Sequence, residues 1–156
     1  MIENQGGSGH RLGSDMDPIR QGLFGNRSLK EWMGQNKPEG LSGPFRTLVD
    51  AAEAADQGNT AGAKTLLRGI LELPDLETRT HLWTWSALRE LGEQPDPRTV
   101  GEILGVVVEV PMKNAYDTLA GYRDGTARYL NFSGAAIFWD TPDGIVRQLC
   151  RTLLAL

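Results

Sequence analysis

The 156-residue chain has a single cysteine, Cys150, and only two histidines, His10 and His81. One thiol cannot close an intramolecular disulfide. No cysteine-based zinc cluster and no multi-histidine metal site can be assembled from this set. Basic charge is also short: 16 Lys and Arg stand against 20 Asp and Glu, for a net charge of −4. That argues against a general nucleic-acid binder, because phosphate binding needs clustered positive charge. No apolar run approaches the roughly 20 residues that cross a bilayer. The opening stretch MIENQGGSGHRLG lacks the apolar core of a secretory signal. The expectation is a cytoplasmic globular domain with no cofactor, no metal, and neither nucleic acid nor membrane as partner. Single domains usually hold about 100–200 residues, and a chain of this size can bury roughly 70% of its unfolded surface without covalent staples.

Catalytic signatures are equally scarce. The glycines of Gly7-Ser8-Gly9-His10-Arg11-Leu12-Gly13 resemble a phosphate-cradling loop only superficially. A dinucleotide fingerprint needs a strand before it and a helix after it, with a different final spacing. Asp15 and Asp17 form an Asp-x-Asp pair, but within a glycine-rich stretch they read as solvated charges. Cys150 falls on an apolar helical stripe, where a thiol is structural rather than reactive. His81 lies in a tryptophan-rich helical segment and reads as a packing residue. No spacing joins a histidine to an acid and a nucleophile. Glu109 and Asp117 fall on opposite faces of their strands and form no acid–base pair.

What is present is a change of periodicity along the chain. Residues 1–43 hold nine of the 19 glycines, with five basic and five acidic residues and few apolar ones. Such a segment reads as a largely flexible arm. Within it, Asn26 or Ser28 caps a short helix near 28–35, with Leu29, Trp32 and Met33 on one side. Residues 44–156 read as a single α+β domain. Three helices are expected over 44–92, forming an N-terminal helical cluster. The first starts at Pro44 and carries Phe45, Leu48, Val49, Ala52 and Ala55. The second is capped by Thr60 and carries Leu66, Leu67, Ile70 and Leu71. The third is capped by Asp75 and carries Leu76, Leu82, Trp83, Ala87, Leu88 and Leu91. Trp85 points about 200° from Trp83 and should meet a second layer. No 34-residue repeat relates these helices.

After the polar connection EQPDPRT the period becomes two. A four-stranded antiparallel meander over 102–139 is expected, with Pro111 at or near an edge. A C-terminal helix over 142–155, started by Asp140 or Thr141 and Pro142, should pack across it. Lys113-Asn114 is read as the first strand turn and Asp124-Gly125 as a two-residue second turn. That register sets Val108 opposite Leu119, Val110 opposite Asp117, Tyr122 opposite Ala127, Leu119 opposite Leu130, and Arg128 beside Trp139 in reach of a cation–π contact. One face then holds Val106, Val108, Val110, Leu119, Leu130 and Ile137, under the C-terminal helix. The other holds Val107, Glu109, Tyr116, Thr118, Tyr122, Tyr129, Asn131 and Phe138. A one-residue slip would exchange side chains between these faces.

From these features the sequence reads as a non-enzymatic protein-interaction or regulatory module. Its candidate surface is Tyr116, Tyr122, Tyr129, Asn131, Arg128 and Trp139 on the sheet, together with Trp32 of the arm. The alternative is a small-molecule-binding domain or unrecognised enzyme, with a pocket between helices and sheet lined by Tyr116, Tyr129, Arg128 and Trp85. A homo-oligomer that buries its apolar surface is a third reading.

Overall fold

A serine and a glutamate three residues apart organise the first turn of the helix that carries Trp32. In the computed structural model, Glu31 Oε2 accepts from the Ser28 N–H at 2.7 Å, and the Ser28 hydroxyl accepts from the Glu31 N–H at 3.3 Å. This is a capping box. The hydrogen bonds from Ser28 hold the Glu31 carboxyl below its ordinary pKa. Residues 17–35, 40–113, 115–141 and 144–155 are described by the structure. In chain order they form α1 (Asp17–Leu23), α2 (Leu29–Gln35), α3 (Gly43–Asp56), α4 (Thr60–Leu71), α5 (Thr78–Glu90), β1 (Gly105–Pro111), β2 (Tyr116–Tyr122), β3 (Ala127–Leu130), β4 (Ala136–Trp139) and α6 (Gly144–Leu154). The architecture is α+β: helices first, then an antiparallel sheet in the order β1-β2-β3-β4, then a helix on the sheet. None of the described helices is long and apolar enough to cross a membrane.

The described part of the N-terminal segment is packed rather than free. Leu29 and Trp32 of α2 join Leu48, Ala51, Ala52, Ala63, Leu67, Ile70, Trp83, Ala87 and Leu88 in one apolar core. Trp32 stacks edge-on against Trp83 with centroids 5.3 Å apart, and tilted against Phe45 at 6.3 Å. The helix expected near 28–35 is therefore α2, and its stripe folds onto the protein's own core. The chain before it forms α1, which the sequence reading did not anticipate. Asp15 and the first glycines lie outside the described residues.

The helical caps differ from expectation in two places. Asn59, not Thr60, caps α4, its side chain accepting from the Gly62 N–H at 2.9 Å. Asp75 does not cap α5; it adopts φ 54° ahead of the helix, and Glu77 occupies the cap position without a side-chain cap bond. Pro44 lies in the first turn of α3, one position after Gly43, which follows the Ser42 cap. Of the α4 stripe, Leu67 and Ile70 are buried while Leu66 is partly exposed.

The β1–β2 register pairs Val108 with Leu119 and Val110 with Asp117, as the sequence implied. The β2–β3 register is offset by one residue: Leu119 pairs with Tyr129, Ala120 with Arg128, and Gly121 with Ala127. The cause is the turn. Gly125 (φ 89°) donates to the Tyr122 carbonyl at 2.9 Å, and Tyr122 N–H donates to the Thr126 carbonyl at 3.0 Å. The loop is therefore Arg123-Asp124-Gly125, with glycine in the left-handed position that three-residue hairpins require. The added residue rotates β3 by one step. Arg128 and Leu130 move to the face that meets the helices, and Tyr129 and Asn131 to the face that carries α6. Ala127 now opposes Trp139, and Arg128 opposes Phe138 and lies over its ring, at 5.5 Å.

If Trp32 is a core residue, Trp32→Ala should lower the unfolding free energy by about 3–5 kcal/mol in urea denaturation. A loss below about 1 kcal/mol would mean that its packing here is incidental.

Candidate functional site

The two faces of the sheet are covered to different extents, and the helices decide which side chains are hidden. Thr118, Ala120, Tyr122, Arg128 and Leu130 point to the helical layer and are buried. The contact is made by hydrogen bonds as well as by apolar packing. Tyr122 OH donates to the Leu23 carbonyl at 2.8 Å, and Trp83 Nε1 donates to the Gly22 carbonyl at 3.1 Å. Both carbonyls lie at the C-terminal end of α1, where a helix has no internal donors left. Burial pushes the Tyr122 phenol well above its ordinary pKa, so it is a neutral hydrogen-bond donor.

The β2–β3 turn supplies the missing cap of α5. Asp124 Oδ2 accepts from the Thr78 N–H at 2.7 Å, while Asp124 Oδ1 accepts from the Thr126 N–H at 2.8 Å and the Thr126 hydroxyl at 2.7 Å. Burial by itself would raise the Asp124 carboxyl. The hydrogen bonds from Thr78 and Thr126 outweigh it and hold the pKa below the usual aspartate value.

Beside this cap, Arg128 is only 1% exposed. A buried guanidinium needs several acceptors. It finds them in the Ala127 carbonyl at 2.8 Å, the Trp139 carbonyl at 3.3 Å, Glu77 Oε1 at 3.1 Å and the Asp140 carboxylate. These bonds tie the sheet to the start of α5.

The candidate residues read from the sequence are therefore not brought together. Trp32, Tyr122 and Arg128 are buried. Tyr116 is exposed at the far end of the helix-facing side, under the guanidinium of Arg20, 4.9 Å from its ring. Arg20 also pairs with Glu109 at 2.8 Å. Tyr129 and Asn131 are half-buried on the opposite face, where Tyr129 OH donates to Asp117 Oδ2 at 2.9 Å. Trp139 is half-buried beside Ala127. The pocket envisaged around Tyr116, Tyr129, Arg128 and Trp85 does not form, since Tyr129 is on the other side of the sheet from Tyr116 and Arg128.

The surface that is open was expected to be covered. The cross-strand row Val108, Leu119, Tyr129 and Ile137 runs over all four strands. Val108 is 41%, Leu119 44% and Ile137 49% exposed, and Val110 in the next row is exposed as well. Helix α6 packs on this face at Gly121, where an added Cβ would sit 3.3 Å from Cys150 Sγ and 3.7 Å from Leu153 Cδ2. Cys150 is buried there and directs its thiol toward the carbonyls of Gly125 and Thr126, each at 3.7 Å. Ile145 and Leu149, on the flank of α6 opposite Arg147, remain 71% and 64% exposed. The reason is one of size. A helix is about 10 Å across, whereas the seven residues of β2 run about 23 Å. One helix therefore covers one end of the sheet and leaves the rest bare. The alternation marked these side chains as apolar, but it carried no information on how far a single helix reaches.

Comparison of the chain with known protein families, with curated proteins and with solved structures finds no match.

The capping role of Asp124 has a pH signature. A depressed carboxyl contributes stability above its unfolded pKa, about 3.9, and loses it as pH falls through the lower folded value. Asp124→Asn should therefore be less stable than the parent at pH 7, and the gap should narrow below about pH 4. A gap that is constant between pH 7 and pH 3 would contradict it. Independently, Tyr122→Phe should cost about 1–2 kcal/mol by leaving the Leu23 carbonyl without its donor, measured by chemical denaturation.

Proposed function

We propose that the protein is a non-enzymatic interaction module and that it binds a partner protein through the sheet face that carries α6. The reading rests on one observation: Val108, Leu119 and Ile137, in one cross-strand row with the half-buried Tyr129, are open to solvent, as are Ile145 and Leu149 of α6, the helix packed on that face. Contiguous exposed apolar area of this kind is uncommon on a monomer unless something docks there. The complementary occupant is an amphipathic segment that lays an apolar stripe along the step between α6 and the sheet.

The candidate surface thereby moves from the tyrosine-bearing face to the aliphatic one. Tyr129, Asn131 and Trp139 keep a place on it; Tyr122, Arg128 and Trp32 serve the interior.

The test is a Leu119→Lys, Ile145→Lys double variant. Both sites are exposed, so the unfolding free energy should change by less than about 0.5 kcal/mol per site. A partner that co-purifies with the parent protein should be lost from the variant. Equal retention by parent and variant would remove this face from the interaction. Light scattering of the parent over a dilution series should give a constant monomer mass; a concentration-dependent dimer abolished by the double variant would assign the face to a second copy instead.

A further inference from the structure

A cleft of about 690 Å³ opens away from that face, between α5 and the connection that joins α5 to β1. Its walls are mainly apolar. Trp85, half-buried and packed against the helical core, lines it together with Leu82 and Tyr122. Across from them stand Val100 and Ile103, with Phe24 beside them. These last three are exposed by 66%, 56% and 43%, so apolar surface sits uncovered around the opening.

The charged groups of the lining are not equivalent. Asp96 is held by the Arg98 guanidinium, whose Nε lies 3.0 Å from Oδ1, and the hydrogen bonds from Arg98 lower its pKa. Glu102 is paired with Arg123. His81, half-buried in the wall, is held below its ordinary pKa chiefly by burial, with Glu102 pulling it up and Arg123 pulling it down. It is therefore an uncharged imidazole at neutral pH. Arg89, one helical turn after Trp85, also lines the cleft. Among the described residues its guanidinium has no hydrogen bond and no carboxylate partner. The acids of the cleft have their cations, and one cation lacks an acid.

We infer that this cleft is a binding site for a small amphipathic carboxylate, with its aliphatic or aromatic body against Trp85, Val100 and Ile103 and its anionic group on Arg89. A carboxylate matches the planar fork of a guanidinium. The apolar walls match a body of about ten carbons better than a compact polar metabolite. The site is independent of the sheet face: none of Val108, Leu119 or Ile137 lines it.

The test uses the full chain, with decanoate and 1-decanol as probes, read by calorimetry and by 1H–15N shifts. Decanoate should bind saturably and shift the Trp85 indole N–H, leaving the Leu119 and Ile137 amides in place. Arg89→Gln should weaken decanoate about tenfold and leave the binding of decanol unchanged, while Arg89→Lys should restore part of the loss. Arg89 is exposed and without a side-chain partner among the described residues, so both variants should fold. Absence of decanoate binding to the parent, shifts confined to the sheet face, or equal affinity in Arg89→Gln would each overturn the assignment.

Discussion

The β2–β3 turn is where the two layers of the molecule are fastened. Asp124 projects from it onto the first N–H of α5, that of Thr78, a position where a helix has donors without acceptors and a positive dipole end. Four residues further on, Arg128 reaches back under the sheet to Glu77 at the same helix terminus. Gly125 makes this geometry attainable. Its φ of 89° closes the three-residue loop, and an added Cβ would lie 2.9 Å from Arg147 Cγ of α6. Sheet, α5 and α6 thus meet at a single turn, and a change in its length would disturb all three.

That turn also decides what the protein can offer to others. With the loop one residue longer than a two-residue hairpin, Arg128 and Leu130 turn inward with Tyr122, and the helical layer covers them. The open side becomes the aliphatic one, which α6 covers only in part. The surface proposed above for partner binding follows from this choice of face. The cleft beside α5 arises differently. Trp85 of α5 packs against the helical core, and beyond it the irregular connection to β1 leaves a gap rather than a close-packed element.

Much of the architecture was legible because it is written in local patterns. The helical stripes of α3, α4 and α5, the alternation through β1 and β2, and the cap of α2 at Ser28 all involve residues a few positions apart. What escaped the sequence is long-range. The α5 cap comes from Asp124, 46 residues from Thr78. Glu90 accepts from the Leu29 N–H at the start of α2, 61 positions away. The end of α1 is satisfied by Trp83 and by Tyr122, the latter 99 positions from Leu23. No spacing rule reaches that far, so α1 had no visible partner and Asp75 was read as the cap of the helix it precedes. The register error had a smaller origin. Asp-Gly suits both a two-residue turn and the last two positions of a three-residue one, and only the second lets the aspartate carboxylate accept from Thr126 and Thr78 together.

The pairing of β2 with β3 can be observed without mutation. In an antiparallel ladder the α-protons of a non-hydrogen-bonded pair approach closely, with Cα atoms about 4.5 Å apart. Since Tyr122 and Thr126 form a hydrogen-bonded pair at the turn, Leu119 and Tyr129 fall in the close class. A nuclear Overhauser effect between the α-protons of Leu119 and Tyr129 is the expected result. A strong effect linking Leu119 to Leu130 instead would place Tyr129 with the other tyrosines, bring Leu130 out beside α6, and contradict the account of which face is open.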